Sequence, residues 1–215
     1  YRRAVFIRKR YVEEIDGDTM TKNEVLLEVT EKHLNTGLRG VPVGTCRTSF
    51  VTPSEGVHYC GYPIAELASF EPEDIVYLLF NKELPNAEQS AMIRQDLAAR
   101  ASVPGDLEPV LKALPKFGHP MDWMSVGIHT LGMMETTGNW NEDALNLIAR
   151  MPRLMGLIFR IREGREENIP ADDTSLSMVD RFIKTLDLED ADSEKMKSVI
   201  SLSLIHISEP TRLGF

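Results

Sequence analysis

The hydrophobic pattern of this chain changes from strand-like to helical near Pro63. Residues 1–40 are polar and weakly periodic, with a short helix expected from Asn23 to about Leu34. Val41-Pro42-Val43-Gly44-Thr45 follows, and then the runs Thr48-Ser49-Phe50-Val51 and Val57-His58-Tyr59-Cys60. Both later runs are rich in β-branched and aromatic residues, and Thr52-Pro53-Ser54-Glu55-Gly56 between them carries turn chemistry. Together they predict a β-hairpin with a five-residue loop.

Beyond Pro63 the period is that of helices. Pro72 suits a first helical turn, where its missing N–H costs nothing, and Ile75, Leu78 and Leu79 then share a face. Asn86 is placed to cap a second helix with Ala91, Leu97 and Ala98 turned inward. Pro104-Gly105 breaks that run ahead of a short helix through Leu107, Val110 and Leu111. His119-Pro120 opens the clearest helix, with Met121, Met124, Ile128 and Leu131 at spacings of three and four. Gly127 and Gly132 inside it each cost about 1 kcal/mol of helix propensity, which is tolerated where another backbone comes close. A further helix runs from near Asn141 to Glu163, with a kink expected at Pro152. Its second half, Leu154-Met155-Gly156-Leu157-Ile158-Phe159, is apolar nearly all round and reads as buried. Two more helices are expected, about Ser175–Leu186 and Asp192–Ile200. The fold class is mainly α, a helical assembly with a small N-terminal β-hairpin and no internal repeat.

Charge and composition narrow the function classes. The 215 residues are 42% hydrophobic with a formal net charge of -9, and an acidic surface repels a phosphate backbone, so nucleic-acid binding is not expected. The apolar runs are only a few residues long where a membrane-spanning helix needs about 20, so no membrane partner is expected either. The first ten residues crowd Arg2, Arg3, Arg8, Lys9 and Arg10, a composition shared by transit peptides and solvated basic arms. Cys46 and Cys60 flank the hairpin; a disulfide between them is sterically conceivable, and two small buried thiols is the plainer reading.

Chemistry is sparse. No Gly-rich phosphate loop, nucleophile elbow or His/Cys metal cluster stands out. His119 is either a general base or, more simply, a structural residue at a helix start. His129 lies at the edge of an apolar face, as a core or boundary histidine. Glu163, Arg165, Glu166 and Glu167 read as a solvated helix end.

Four blocks carry a resemblance. Gly37-Leu38-Arg39-Gly40-Val41-Pro42-Val43-Gly44-Thr45 is similar to the entry segment of citrate synthases. Gly56–Ala68 resembles their G-x-x-x-Y-R-G-Y-x-I-x-E-L-A stretch, and Val76–Pro85 their A-Y-L-L-x-x-G-E-L-P. His119-Pro120-Met121-Asp122 matches their H-P-M-D. The blocks stand in the family's order and cover about 37–200. Three positions depart from it: Cys60 replaces the arginine of Y-R-G-Y, Ser125 replaces an arginine after H-P-M-D-x-L, and Asn81 is read as replacing the glycine of H-G-E-L-P.

The resemblance implies a division into an N-terminal arm (1–36) and a truncated large helical domain (37–200). Leu202–Arg212 instead resembles a translated sequencing adapter and only faintly the family's L-H-x-D-H-E, so 201–215 is expected to be a non-native tail. It implies an enzyme that condenses acetyl-CoA with oxaloacetate to citrate and CoA. The alternatives are a 2-methylcitrate synthase using propionyl-CoA, or a non-catalytic helical dimerisation module. In the family an Asp removes a methyl proton, one His stabilises the enol and another polarises the ketone. Those groups fall in motifs C-terminal to this chain, so it is expected to hold no catalytic residue and to be inactive alone. The resemblance further implies acetyl-CoA and oxaloacetate as substrates, no permanently bound cofactor or metal, a homodimeric parent, and a cytoplasmic or, in a eukaryote, mitochondrial matrix location. Arg39 and Arg160 match arginines that can contact CoA phosphates, as a guanidinium fork does well; a helix-end or interface salt bridge is the other reading of both.

Overall fold

The computed structural model of the chain describes residues 28–36, 39, 46–52 and 56–187. Asn23–Leu27 of the first expected helix, the whole Val41–Thr45 entry run, the expected helix at Asp192–Ile200 and the tail 201–215 lie outside them. The chain divides into two compact units, Tyr1–Leu67 and Ala68–Phe215.

In the first unit a 3-10 helix, Glu31–Asn35, stands where a longer helix is expected to end. Thr30 begins it, and its N–H donates to His33 Nδ1 at 3.0 Å. The hairpin forms as β1 (Ser49–Thr52) against β2 (Gly56–Tyr59), antiparallel, with Phe50 opposite His58. Their rings stack at 4.5 Å between centroids and 5° between planes. Val57 and His58 are both buried although they point to opposite faces of the strand, so both faces of β2 are covered. Pairing continues one strand further than the pattern predicts. β3 (Tyr62–Pro63) returns along β2 through Cys60-Gly61, whose φ values of 50° and 87° suit a two-residue primed turn. Ile64–Leu67 then forms the single-turn α1.

The second unit contains α2 (Pro72–Asn81), α3 (Ala87–Arg100), α4 (Leu107–Lys112), α5 (Pro120–Glu135), α6 (Trp140–Arg162) and α7 (Met178–Leu186). Pro72 begins α2, and Ile75 and Leu78 are buried, while Leu79 is half-buried. The helix ends on Lys82, left-handed at φ 65°, whose N–H donates to Leu78 O at 2.7 Å. That corrects the reading of Asn81: the residue before Glu83-Leu84-Pro85, in the left-handed cap that favours glycine, is Lys82. Asn86 caps α3 as expected, its Oδ1 accepting from Gln89 N at 2.9 Å while Gln89 Oε1 accepts from Asn86 N at 2.9 Å. Leu97 is buried, but Ala91 is exposed and not inward.

α5 begins at His119-Pro120, but its buried stripe differs from the one the methionines suggest. Trp123, Gly127 and Leu131, spaced by four, face the core, flanked by half-buried Met124 and Ile128; Met121 is 61% exposed. Trp123 wins because its Nε1–H finds Pro115 O at 3.2 Å, so its large ring is buried with its one donor satisfied. α6 carries Pro152 within it and buries Leu154, Gly156, Leu157, Ile158 and Ile161. α7 starts at Met178, later than expected, because Ser177 Oγ accepts from Asp180 N at 3.2 Å and sets the cap there.

The main core joins Leu107 and Leu111 of α4, Trp123 and Leu131 of α5 and Leu154, Leu157, Ile158 and Ile161 of α6. A second cluster joins Leu97, Ala101 and Ala149. Close approaches are made at single glycines. A Cβ on Gly127 would stand 2.6 Å from Leu154 Cδ1, and one on Gly156 would stand 2.4 Å from Thr185 Cγ2. Gly132 has only Thr136 Oγ1, at 3.8 Å, so the close approach expected of it does not occur.

Candidate functional site

Positive charge in this fold is gathered where α6 and α7 lie together. Arg160, in the last turn of α6, is 1% exposed. Its Nη1 donates to Leu186 O at 3.1 Å and sits 3.5 Å from Asp187 Oδ2, and its Nη2 donates to Asn168 O. Its Nε is buried with no partner. Arg165 reaches the same Leu186 carbonyl at 2.5 Å and pairs with Glu163 at 3.2 Å. Two guanidiniums on one terminal carbonyl answer the negative pole of α7.

Two further arginines hold the other side of α7, and the hydrophobic pattern does not single them out. Arg181 is 3% exposed and makes a fork with Asp172, its Nη2 lying 2.8 Å and 3.0 Å from the two carboxylate oxygens. It also donates to Ala149 O and Ala101 O, each at 3.1 Å. Arg153 donates to Pro170 O at 2.7 Å and to Thr185 Oγ1 at 3.4 Å, and burial pulls its guanidinium below the usual arginine range. A buried arginine shows in a sequence only as a charge on an otherwise apolar helix face. Arg181 carries no such signal, since the residues sharing its helix face are Ser177, Met178, Lys184 and Thr185.

The other candidates separate by place. Arg39 is exposed, its N–H donating to Thr36 O at 3.4 Å. His119 is exposed at the start of α5, where Nδ1 accepts from Met121 N at 3.1 Å. That lone pair serves as a helix cap, which is the structural reading. His129 is exposed, not at a boundary. Glu163 and Glu167 are exposed as expected, but Arg165 and Glu166 are tied into the fold, Glu166 through Lys116 at 2.8 Å. Cys46 is exposed rather than buried, and Cys60 is half-buried.

A cavity of about 140 Å³ lies between the end of α5 and the start of α6, lined by Leu131, Glu135, Asp143, Asn146 and Arg150 among others. Cofactor pockets run to about 300–1,000 Å³, so it is too small for a CoA. Its charges also have protein partners: Arg150 pairs with Glu135, and Asp143 accepts from Thr137 N and Oγ1 at 2.8 Å and 2.7 Å. Among the described residues no group of His, Cys, Asp and Glu is arranged to hold a metal ion. None of their helices is long and apolar enough to cross a membrane.

The family model described as "Citrate synthase, C-terminal domain" matches residues 37–210. The chain belongs to the citrate synthase family. It is 30% identical over 190 residues to citrate synthase 4, mitochondrial, of Arabidopsis thaliana, covering 77% of this chain and 39% of that protein. It is 29% identical over 180 residues to citrate synthase 2 of Bacillus subtilis (strain 168), covering 79% of this chain and 47% of that one. The chain thus spans less than half the length of these relatives. Its fold is similar to the crystal structure of citrate synthase from Thermotoga maritima MSB8, with TM-score 0.67 at 19% identity over 82% of this chain and 47% of that one. The citrate synthase motifs acquire physical roles here: H-P-M-D caps α5, Y-C-G-Y is the primed turn of the sheet, and E-L-P follows the left-handed cap of α2.

Proposed function

We propose that this chain is the scaffold part of a citrate synthase that condenses acetyl-CoA with oxaloacetate to citrate and CoA, and that it has no such activity alone. The observation that carries the reading is the family match across 37–210, with four family motifs in order. Deprotonation of a thioester methyl and stabilisation of the enolate need a positioned base and oxyanion donors. The proposed division of labour puts these in the part of the relatives that this chain does not match.

Arg39 and Arg160 are the proposed contacts to CoA phosphates. Arg39 is exposed, so its fork is open to water and to a phosphate. Arg160 is committed to carbonyls and keeps only Nε unpartnered, so it meets a phosphate only by giving up Leu186 or Asn168. A second copy of the chain is the proposed partner, on the face where Met133 and Trp140 are 86% and 74% exposed.

The test has two arms. The 215-residue chain, assayed by thiol release from acetyl-CoA with oxaloacetate, should show no turnover above buffer. The genomic reading frame continued past the Ile200 codon, expressed whole, should release CoA and form citrate. Turnover that tracks the purified short chain, or an inactive continued product, would overturn the reading.

A further inference from the structure

Both cysteines of the chain rest on one residue. Cys46 Sγ lies 3.5 Å from Thr48 Oγ1 and 3.4 Å from Ser49 Oγ. Cys60 Sγ lies 3.7 Å from the Thr48 carbonyl oxygen, which also accepts the Cys60 N–H at 2.8 Å. That backbone bond carries the β1–β2 ladder one step past Ser49↔Tyr59 and sets Thr48 opposite Cys60. Cys46, two residues before Thr48, is therefore a diagonal neighbour of Cys60. In a regular ladder such neighbours stand about 7–8 Å apart, and a disulfide needs Cβ atoms at about 3.5–4.5 Å. The gap is closable because Cys46 is not in the strand: it precedes a bend at Arg47-Thr48, and its sulfur is already folded back onto Thr48.

We propose that Cys46 and Cys60 are a reversible peroxide-oxidation site, with Cys46 as the attacking thiol and Cys60 as the resolving one. Exposure assigns the order, since Cys46 is open to solvent and Cys60 is half-buried. The Cys46 thiolate attacks one oxygen of hydrogen peroxide and breaks the O–O bond. This leaves a sulfenic acid on Cys46, and the departing hydroxide takes a proton to become water. The Cys60 sulfur then attacks the Cys46 sulfur; the S–O bond breaks, the S–S bond forms, and a second water leaves. Two thiols and one peroxide become one disulfide and two waters.

The surroundings favour the first step. The Ser49 and Thr48 hydroxyls, and the backbone beside them, donate toward the Cys46 sulfur and hold its thiol down to about 6. At pH 7 that makes it mostly thiolate, about 90-fold more than for a thiol at the ordinary value of 9.0. The lower basicity returns about 15- to 30-fold of this in nucleophilicity, so the net gain is about 3- to 6-fold. Closing the ring would tie the segment entering β1 to the turn between β2 and β3. The resembled Y-R-G-Y motif carries arginine at the position taken by Cys60.

The test is made on the reduced 215-residue chain at pH 7 with hydrogen peroxide. The intact mass should fall by two hydrogens, both thiols should vanish from Ellman titration, the chain should stay single on a non-reducing gel, and dithiothreitol should restore it. Cys60→Ser should stop at a dimedone-reactive sulfenic acid on Cys46. Cys46→Ser should leave Cys60 unoxidised over the same time. Iodoacetamide labelling of Cys46 should have its pH midpoint near 6 and move upward in Ser49→Ala. A disulfide between two chains, dimedone capture on Cys60 instead of Cys46, or an ordinary thiol midpoint for Cys46 would overturn the assignment.

Discussion

Arg181→Met should be among the most destabilising single changes in the α7 region. The substitution keeps the length and apolar stem of the side chain but removes donors that meet three partners from distant parts of the chain: Asp172, Ala149 O at the centre of α6 and Ala101 O at the end of α3. Removing one member of a buried ion pair costs about 3–5 kcal/mol, because the other charge is left without compensation. Two facts place the expected loss at the lower edge. The Asp172 side chain retains 20% of its exposure and can turn toward water, and a carbonyl within a helix keeps its own backbone partner. The loss should be about 3 kcal/mol. With a urea slope of about 2–3 kcal/mol/M, the unfolding midpoint followed by circular dichroism should fall by about 1–1.5 M. Arg181→Lys, which keeps the charge but not the fork, should fall between the variant and the parent. Arg181→Met with Asp172→Leu should recover most of the loss, since replacing both partners leaves no orphaned charge. A midpoint shift under about 0.3 M for Arg181→Met, or strict additivity in the double variant, would refute this account.

Three further outcomes are expected. Gly132→Ala should stabilise by about 1 kcal/mol through helix propensity, having no neighbour closer than 3.8 Å, while Gly156→Ala should destabilise because its Cβ meets Thr185 at 2.4 Å; thermal midpoints moving the same way for both would contradict the packing. Asn86→Ala should cost about 1 kcal/mol by urea unfolding, because the first turn of α3 loses its reciprocal cap, and Asn86→Asp should keep most of it. The Lys184 ammonium and Ser175 hold the Asp173 carboxyl down to about 2 from 3.8, so its contribution is present above pH 4 and lost as pH falls toward 2. The difference in urea midpoint between the parent and Asp173→Asn should therefore shrink over that window, and a difference that grows on acidification would reverse the sign of the linkage.

Local chemistry made several elements of this protein legible in its sequence. Asn86 and His119 mark helix starts because a cap is satisfied within three residues of itself, Pro72 because its missing N–H costs nothing in a first turn, and the β1–β2 pairing follows from two β-branched runs around one turn. The family motifs made the fold class legible for the same reason, since each is a contiguous local structure. Tertiary packing decided what the periodicity left open. α5 has apolar residues on more than one side, and only the docking of α4 and α6 turned Trp123 inward and Met121 outward. Gly127 and Gly132 are alike as letters and differ because Leu154 stands over one of them alone. Glu73 accepts the Met178 N–H from 105 positions away, and Arg181 collects Ala101, Ala149 and Asp172. Burying a charge is favourable only when its partners are already assembled around it, and those partners are neighbours in space rather than in sequence.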